Sequence, residues 1–225
     1  HVQSFHGYGS GWMKKNGFSP DAFVQAAMQV ASFRLFGEMV GTYEATQVRR
    51  FLHGRTETTR TVSRSMETFV KMMGPRATLA RVNAFQSVKI KKALKVAVAD
   101  HNKYMRKAGR AQGVDRHLLG LSMMVKAHES VPALMSNELF ARAKRWRMST
   151  SQLSHPRFAL WGYGEVVPDG VGLAYSIHAK SCVFCVTALK HLEWTDKLSE
   201  LLEEALLEMK IILEATAAAK PVSKL

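Results

Sequence analysis

Behind Ser19, Pro20 and Asp21, the small and apolar positions Phe23, Ala26, Ala27, Val30, Phe33 and Gly37 recur with the period of a helix. Serine as N-cap, proline at the first helical position and aspartate at the positive end of the dipole mark its start, and the pattern predicts a helix to about Val40. A second helical stretch is expected from Leu79 to Ala108, and a third from Leu118 to Ala143 with Pro132 as a start or kink. Between Phe158 and Leu189 the period shortens. Phe158 to Tyr163, Val171 to Ile177 and Ser181 to Leu189 are rich in β-branched and aromatic residues and are separated by Pro168-Asp169-Gly170 and His178-Ala179-Lys180, which predicts three strands, the last two a hairpin. From Thr195 onward Leu198, Leu201, Leu202, Ala205, Met209, Ile212 and Leu213 line one face of a long amphipathic helix. No repeat and no shift of composition divides the chain, so the expected fold is one helix-rich α/β lobe with a mixed β-sheet.

Composition sharpens this picture. Of 225 residues, 47% are hydrophobic and 22% charged, enough apolar material for a real core, which excludes disorder of the whole chain. No uncharged apolar run approaches the ~20 residues of a membrane-crossing helix. The two cysteines, Cys182 and Cys185, cannot supply a disulfide framework and point to a reducing compartment. Three residues apart in a strand they face opposite ways, and with no second pair they read as ordinary strand cysteines rather than a metal or redox motif. No metal ligand set is expected, since the nine histidines form no ligand cluster by spacing. Position 1 is His rather than Met, and the first residues do not resemble a signal peptide, so the sequence is expected to begin inside a longer product.

The abnormal quantity is charge: 32 Lys+Arg against 18 Asp+Glu, a net +14. Such a surplus implies an anionic companion, whether nucleic acid, an acidic membrane surface or a phosphate-rich small molecule. Lys89, Lys91, Lys92, Lys95, Lys103, Arg106 and Lys107 are expected all around the second helix, and they read as a solvated surface rather than a nucleic-acid footprint. Gly7, Gly9 and Gly11 before Lys14 and Lys15 offer a pattern able to hold an anion, although flexible chain is the plainer reading of such glycines. The terminal Ser223-Lys224-Leu225 is a peroxisomal address read by an import receptor.

Five motifs then occur in a telling order. They are Ser19-Pro20-Asp21-Ala22-Phe23; Thr42-Tyr43-Glu44 leading to Gly54-Arg55-Thr56-Glu57; Asp115-Arg116-His117-Leu118-Leu119-Gly120-Leu121; Ser149-Thr150-Ser151-Gln152; and Val166-Val167-Pro168-Asp169-Gly170 followed by Gly172. From about Gly7 to Leu213 the series resembles the C-terminal lobe of the choline/carnitine acyltransferases. The resemblance implies a coenzyme A-dependent acyltransferase fold and reversible transfer of a short acyl group, acetyl above all, between coenzyme A and the hydroxyl of carnitine. It implies that Tyr43, Thr56 and Arg116 hold the carnitine carboxylate, two hydroxyls and a guanidinium fork being suited to that anion. Ser149 belongs to the substrate site, and Ser151 stabilises charge during acyl transfer. Tyr163 falls where an aromatic ring faces the trimethylammonium. Trp161 falls where the family opens or closes an acyl tunnel; its bulk favours short chains, with medium-chain transfer as the alternative. Lys14, Asp21 and Gln152 match coenzyme A positions. Ser10 stands where the family has a further lysine, a contact that Lys15 could replace.

The same resemblance implies a missing part. The family's histidine base, which takes the alcohol proton and returns it to the thiol, lies in an N-terminal lobe, and no histidine here stands in its motif. Residues 1–216 are therefore expected to form a C-terminal lobe, followed by a loose tail at 217–225. That lobe should be inactive alone and expose an apolar face where the N-terminal lobe docks. Expected partners are carnitine, acyl-coenzyme A, the absent lobe and the import receptor, without nucleic acid. The expected compartment is the peroxisome, with the mitochondrion as a second. Two competing readings remain: a basic module for nucleic acid or other anions, and an inactive relative that docks to other proteins.

Overall fold

The computed structural model describes residues 1–75 and 83–218. Its centre is a six-stranded mixed sheet of order β1-β6-β5-β4-β2-β3, made of β1 (Val2–Phe5), β2 (Thr42–Gln47), β3 (Thr56–Arg60), β4 (Met148–Gln152), β5 (Val171–Ile177) and β6 (Cys182–Thr187). The two junctions that β4 makes, with β2 and with β5, are parallel, and the others are antiparallel. One face of the sheet is covered by α2 (Pro20–Phe36), α4 (Ala84–Ala108) and α8 (Trp194–Ala218). α3 (Arg64–Met73) packs beside α4. Three short helices, α5 (Asp115–Met124), α6 (Ala133–Ser136) and α7 (Glu138–Ala143), bridge α4 to β4 and bury none of their residues.

The closing helix and the β5–β6 hairpin agree with the apolar pattern. α2 begins at Pro20 as expected, but Ser19 makes no capping hydrogen bond and the helix stops at Phe36, where Gly37 adopts φ +75°. A left-handed residue there ends the helix before Val40. α2 is buried nearly all round, Gln25 and Gln29 included, because it runs between the sheet and α8. Arg34 joins the two helices: its guanidinium donates to both oxygens of Glu208 at 3.2 and 2.6 Å, and both side chains are nearly inaccessible.

Three expectations are corrected. Residues 158–163 form an irregular strap rather than a strand, for Trp161 and Tyr163 are spent on packing and hydrogen bonds against the existing sheet. The stretch from Leu118 to Ala143 is three separate helices, because Pro132 and the polar turn before it interrupt the ladder. The cations of α4 do not surround it: Lys91 turns to Thr216 at 2.7 Å, and the other six are exposed on one side. The expected helical residues 79–82 and the Ser223-Lys224-Leu225 address lie outside the described residues.

α1 (Ser10–Lys15) shows what the early glycines do. Backbone N–H groups of Ser10 and Gly11 donate to the carbonyls of His178 and Ala179 at 2.8 and 3.0 Å, so the β5–β6 turn, and not an anion, occupies this helix start. A Cβ on Gly9 would lie 2.4 Å from the His178 carbonyl oxygen and 2.5 Å from the Ser181 nitrogen, both backbone atoms. Gly9→Ala is expected to cost about 2 kcal/mol in urea denaturation. Gly120→Ala in α5, where a Cβ meets nothing within 4 Å, should be neutral or stabilising by up to about 1 kcal/mol.

Candidate functional site

Register decides which side chains share a face. Tyr43 is opposite Ser149, Ser149 opposite Gly172, and Ser151 opposite Ala174. Strand alternation therefore sets Tyr43, Ser149 and Ser151 on the face away from the long helices. Their neighbours Glu44 and Thr150 point to the helix side, where Gln25 donates to the Thr150 hydroxyl at 2.8 Å and to the Tyr175 hydroxyl at 2.9 Å.

Arg116, the second residue of α5, is anchored by Asp115 before it, whose carboxylate accepts two hydrogen bonds from Arg60 at 3.0 and 2.7 Å. The Arg60 guanidinium in turn covers the Trp146 ring at 4.9 Å, and the same ring meets the Tyr43 ring edge-on at 5.9 Å. Held there, Arg116 donates through Nε to the Thr56 carbonyl at 3.0 Å. Its terminal nitrogen donates to the Thr56 hydroxyl at 3.4 Å and the Tyr43 hydroxyl at 3.5 Å. Strands β2 and β3 and helix α5 thus bring Tyr43, Thr56 and Arg116 to one solvent-accessible point. Because both hydroxyl oxygens accept from Arg116, their own protons remain available for an incoming anion.

The strap supplies the second group. Tyr163 donates its hydroxyl to the Ser149 carbonyl at 2.6 Å, with the Leu173 carbonyl at 3.2 Å, and its own carbonyl accepts from Thr187 at 2.7 Å. Burial pushes the Tyr163 hydroxyl pKa upward, so it stays protonated. The Trp161 ring stacks at 5.5 Å on Tyr163, with its indole nitrogen buried and unpartnered. Gly172 makes this closeness possible, since a Cβ there would meet the Gly164 carbonyl at 2.8 Å. Ser151 is half-buried, and Gln152 is exposed with its amide on the Ser154 hydroxyl at 2.8 Å. Lys14 and Lys15 are exposed in the last turn of α1.

On the helix side the structure assembles a group that spacing did not reveal. Asp21 of α2, Glu44 of β2 and His101 of α4 have ligand atoms within 4.8 Å of one another. His101 Nε2 is 3.2 Å from Glu44 and 3.9 Å from Asp21, and the histidine side chain is 1% exposed. Burial alone would lower the His101 pKa, but the two carboxylates outweigh it and push it up to about 9. Burial, reinforced by the Asp21 charge, raises Glu44 to about 7. For Asp21 burial is outweighed by the nearby His101 and by a hydrogen bond from the Tyr175 hydroxyl at 2.7 Å, and its pKa falls. These three residues could hold a cation chemically, yet a protonated His101 already supplies positive charge between the carboxylates.

The description choline/carnitine O-acyltransferase matches a family model over residues 1–204. The chain belongs to this family. It is 35% identical over 222 residues to human carnitine O-acetyltransferase, covering 97% of this chain and 34% of that protein. To the mitochondrial carnitine O-acetyltransferase of Saccharomyces cerevisiae it is 37% identical over 179 residues, covering 79% and 26%. Choline O-acetyltransferase of Gallus gallus is 32% identical over 226 residues, covering 98% and 34%. The chain therefore spans about a third of these acyltransferases. In this chain the three segments carrying Tyr43, Thr56 and Arg116 meet in space, while Lys14, Lys15 and Gln152 stand on other elements. Asp21 points into the helix layer toward Tyr175 and His101. His101 was missed because its partners stand 57 and 80 positions earlier in the chain, with no shared motif.

Proposed function

We propose that this chain is the substrate-binding lobe of an acyltransferase that moves a short acyl group, acetyl above all, reversibly between coenzyme A and the hydroxyl of carnitine. The observation that carries the reading is the convergence of the Tyr43 and Thr56 hydroxyls on the Arg116 guanidinium. A carboxylate there receives charge-assisted hydrogen bonds from groups already in position. Carnitine bound in this way lies along the face that bears Ser149 and Ser151. Ser151 donates to the oxygen that gains charge as the alcohol attacks the thioester carbon, and Tyr163 offers its ring to the trimethylammonium. The carbon–sulfur bond breaks as the carbon–oxygen bond forms, and the alcohol proton passes through a base to the departing thiolate. His101 is not that base, since it is buried on the opposite face with two carboxylates.

None of the nine histidines stands in the family's base motif, so the base is assigned to a second lobe. Leu119, Leu121, Met123, Met124, Leu134 and Leu139, all exposed on α5 to α7, support its docking there. Lys14, Lys15, Asp21 and Gln152 serve coenzyme A, and the bulk of Trp161 limits the acyl chain. Residues 1–216 belong to the lobe, and Ser223-Lys224-Leu225 is the peroxisomal address for its import receptor, with the mitochondrion as a second compartment. Among the described residues no helix is long and apolar enough to cross a membrane. Calorimetric titration of the chain with carnitine and with choline tests the reading, because choline keeps the cation and hydroxyl but lacks the carboxylate. Carnitine should bind about tenfold or more tightly. Equal affinity, or no carnitine binding, refutes it.

A further inference from the structure

The outer surface of α4 carries a pattern that acyl transfer does not use. At 100° per residue, Phe85, Val88, Lys89, Lys92, Lys95, Val96, Ala99, Lys103, Arg106 and Lys107 all fall within an arc of about 120°, over a length of about 33 Å. All ten are exposed. Six are cations, four are apolar and none is acidic; Asp100, the one acid of the helix, lies just outside the arc. The arc is opposite the buried line of Ile90, Leu94, Ala97, Val98 and His101, which packs against the rest of the lobe. It thus faces away from the sheet, and from the face that bears Tyr43, Ser149 and Ser151.

We propose that this α4 stripe is a docking surface for an anionic lipid bilayer. Charge complementarity sets the sign of the partner, and the apolar positions choose among anions. Phe85 is 66%, Val88 51% and Val96 48% exposed. Such side chains gain by entering the boundary between headgroups and acyl chains while the lysines between them meet lipid phosphates. A duplex nucleic acid, met through its phosphates, gives them no such burial. Lys89 already extends its stem over the Phe85 ring, with Nζ 4.3 Å from the centroid, so the cation and the ring approach a surface together. Docking by this side leaves the opposite face of the sheet open. The proposal does not depend on which acyl acceptor the protein uses.

The test is co-sedimentation of the chain with phosphatidylcholine vesicles, with and without phosphatidylserine. The chain should bind only the anionic vesicles and dissociate as salt is raised. Lys92→Glu, Lys95→Glu and Lys103→Glu together should weaken binding by about tenfold or more. The same number of reversals on other elements, Lys126→Glu, Arg157→Glu and Lys197→Glu, should have a much smaller effect. Phe85→Ser with Val88→Ser and Val96→Ser should lower affinity without a change of charge. Thermal unfolding identifies any variant that has lost its fold, and the charge-neutral set then decides. Equal losses from the two charge-reversed sets would reduce the effect to net charge and overturn the proposal. So would absence of binding to anionic vesicles, or duplex DNA displacing the protein from them at equal phosphate concentration.

Discussion

His101→Ala is expected to cost about 3 to 5 kcal/mol, because it leaves two carboxylates facing each other in the interior without their shared cation. Urea denaturation at pH 7 measures the loss. A companion variant separates charge from packing: adding Glu44→Gln to His101→Ala should recover part of the loss, since one of the opposed charges goes with it. If the double variant is as unstable as the single one, the cation role is wrong. The protonation state has its own check. With a folded pKa of about 9 against an ordinary value near 6.5, His101 contributes stability that is fully present below pH 6.5 and is lost as pH rises through 9. Glu44, raised from 4.5 to about 7, contributes in the same direction at lower pH. Asp21, with its pKa lowered, works the other way, and its contribution is lost only as the solution becomes strongly acidic. An NMR titration of the His101 ring should find its midpoint near 9; a midpoint at or below 6.5 contradicts the arrangement.

Arg116→Ala should weaken carnitine binding by about 2 kcal/mol, roughly thirtyfold in Kd, while leaving the melting temperature nearly unchanged because the side chain is exposed. Tyr43→Phe and Thr56→Val each remove one hydroxyl and should cost about 1 kcal/mol. Arg116→Lys should restore only part of the affinity, because an ammonium cannot reach the Thr56 carbonyl and both hydroxyls in one planar geometry. Choline affinity should be insensitive to all four changes. A parallel loss for choline would mean that the site, rather than the carboxylate contact, had been damaged.

The legibility of this lobe in its sequence follows from where apolar residues were spent. The β5–β6 hairpin and α8 are visible because they carry the core: every residue of β5 is buried, and its turn signals are strong. β2, β3 and β4 read Thr-Tyr-Glu-Ala-Thr-Gln, Thr-Glu-Thr-Thr-Arg and Met-Ser-Thr-Ser-Gln, with no apolar alternation, so periodicity passes over them. These are the strands that carry Tyr43, Thr56, Ser149 and Ser151. Motif resemblance singles those residues out as candidates where pattern does not, and register explains why Tyr43 and Glu44, adjacent in sequence, lie on opposite sides of the sheet. The α4 stripe is legible in helical spacing alone, since at 100° per residue six of its seven cations share one arc; what the fold adds is that this arc is the exposed one.

The position of β4 between β2 and β5 bears on how the protein is made. Thr42 pairs with Met148 across more than a hundred intervening residues, and this parallel junction joins the β2–β3 hairpin to the rest of the sheet. A contact that distant in sequence repays its loop-closure entropy only after much of the chain has been gathered. The hairpin and the long helices can form from neighbouring residues, whereas the face that presents Tyr43 beside Ser149 must await that closure. Slow folding steps should therefore coincide with the meeting of Tyr43, Thr56 and Arg116, and a chain caught before them would be compact yet without the proposed carboxylate site.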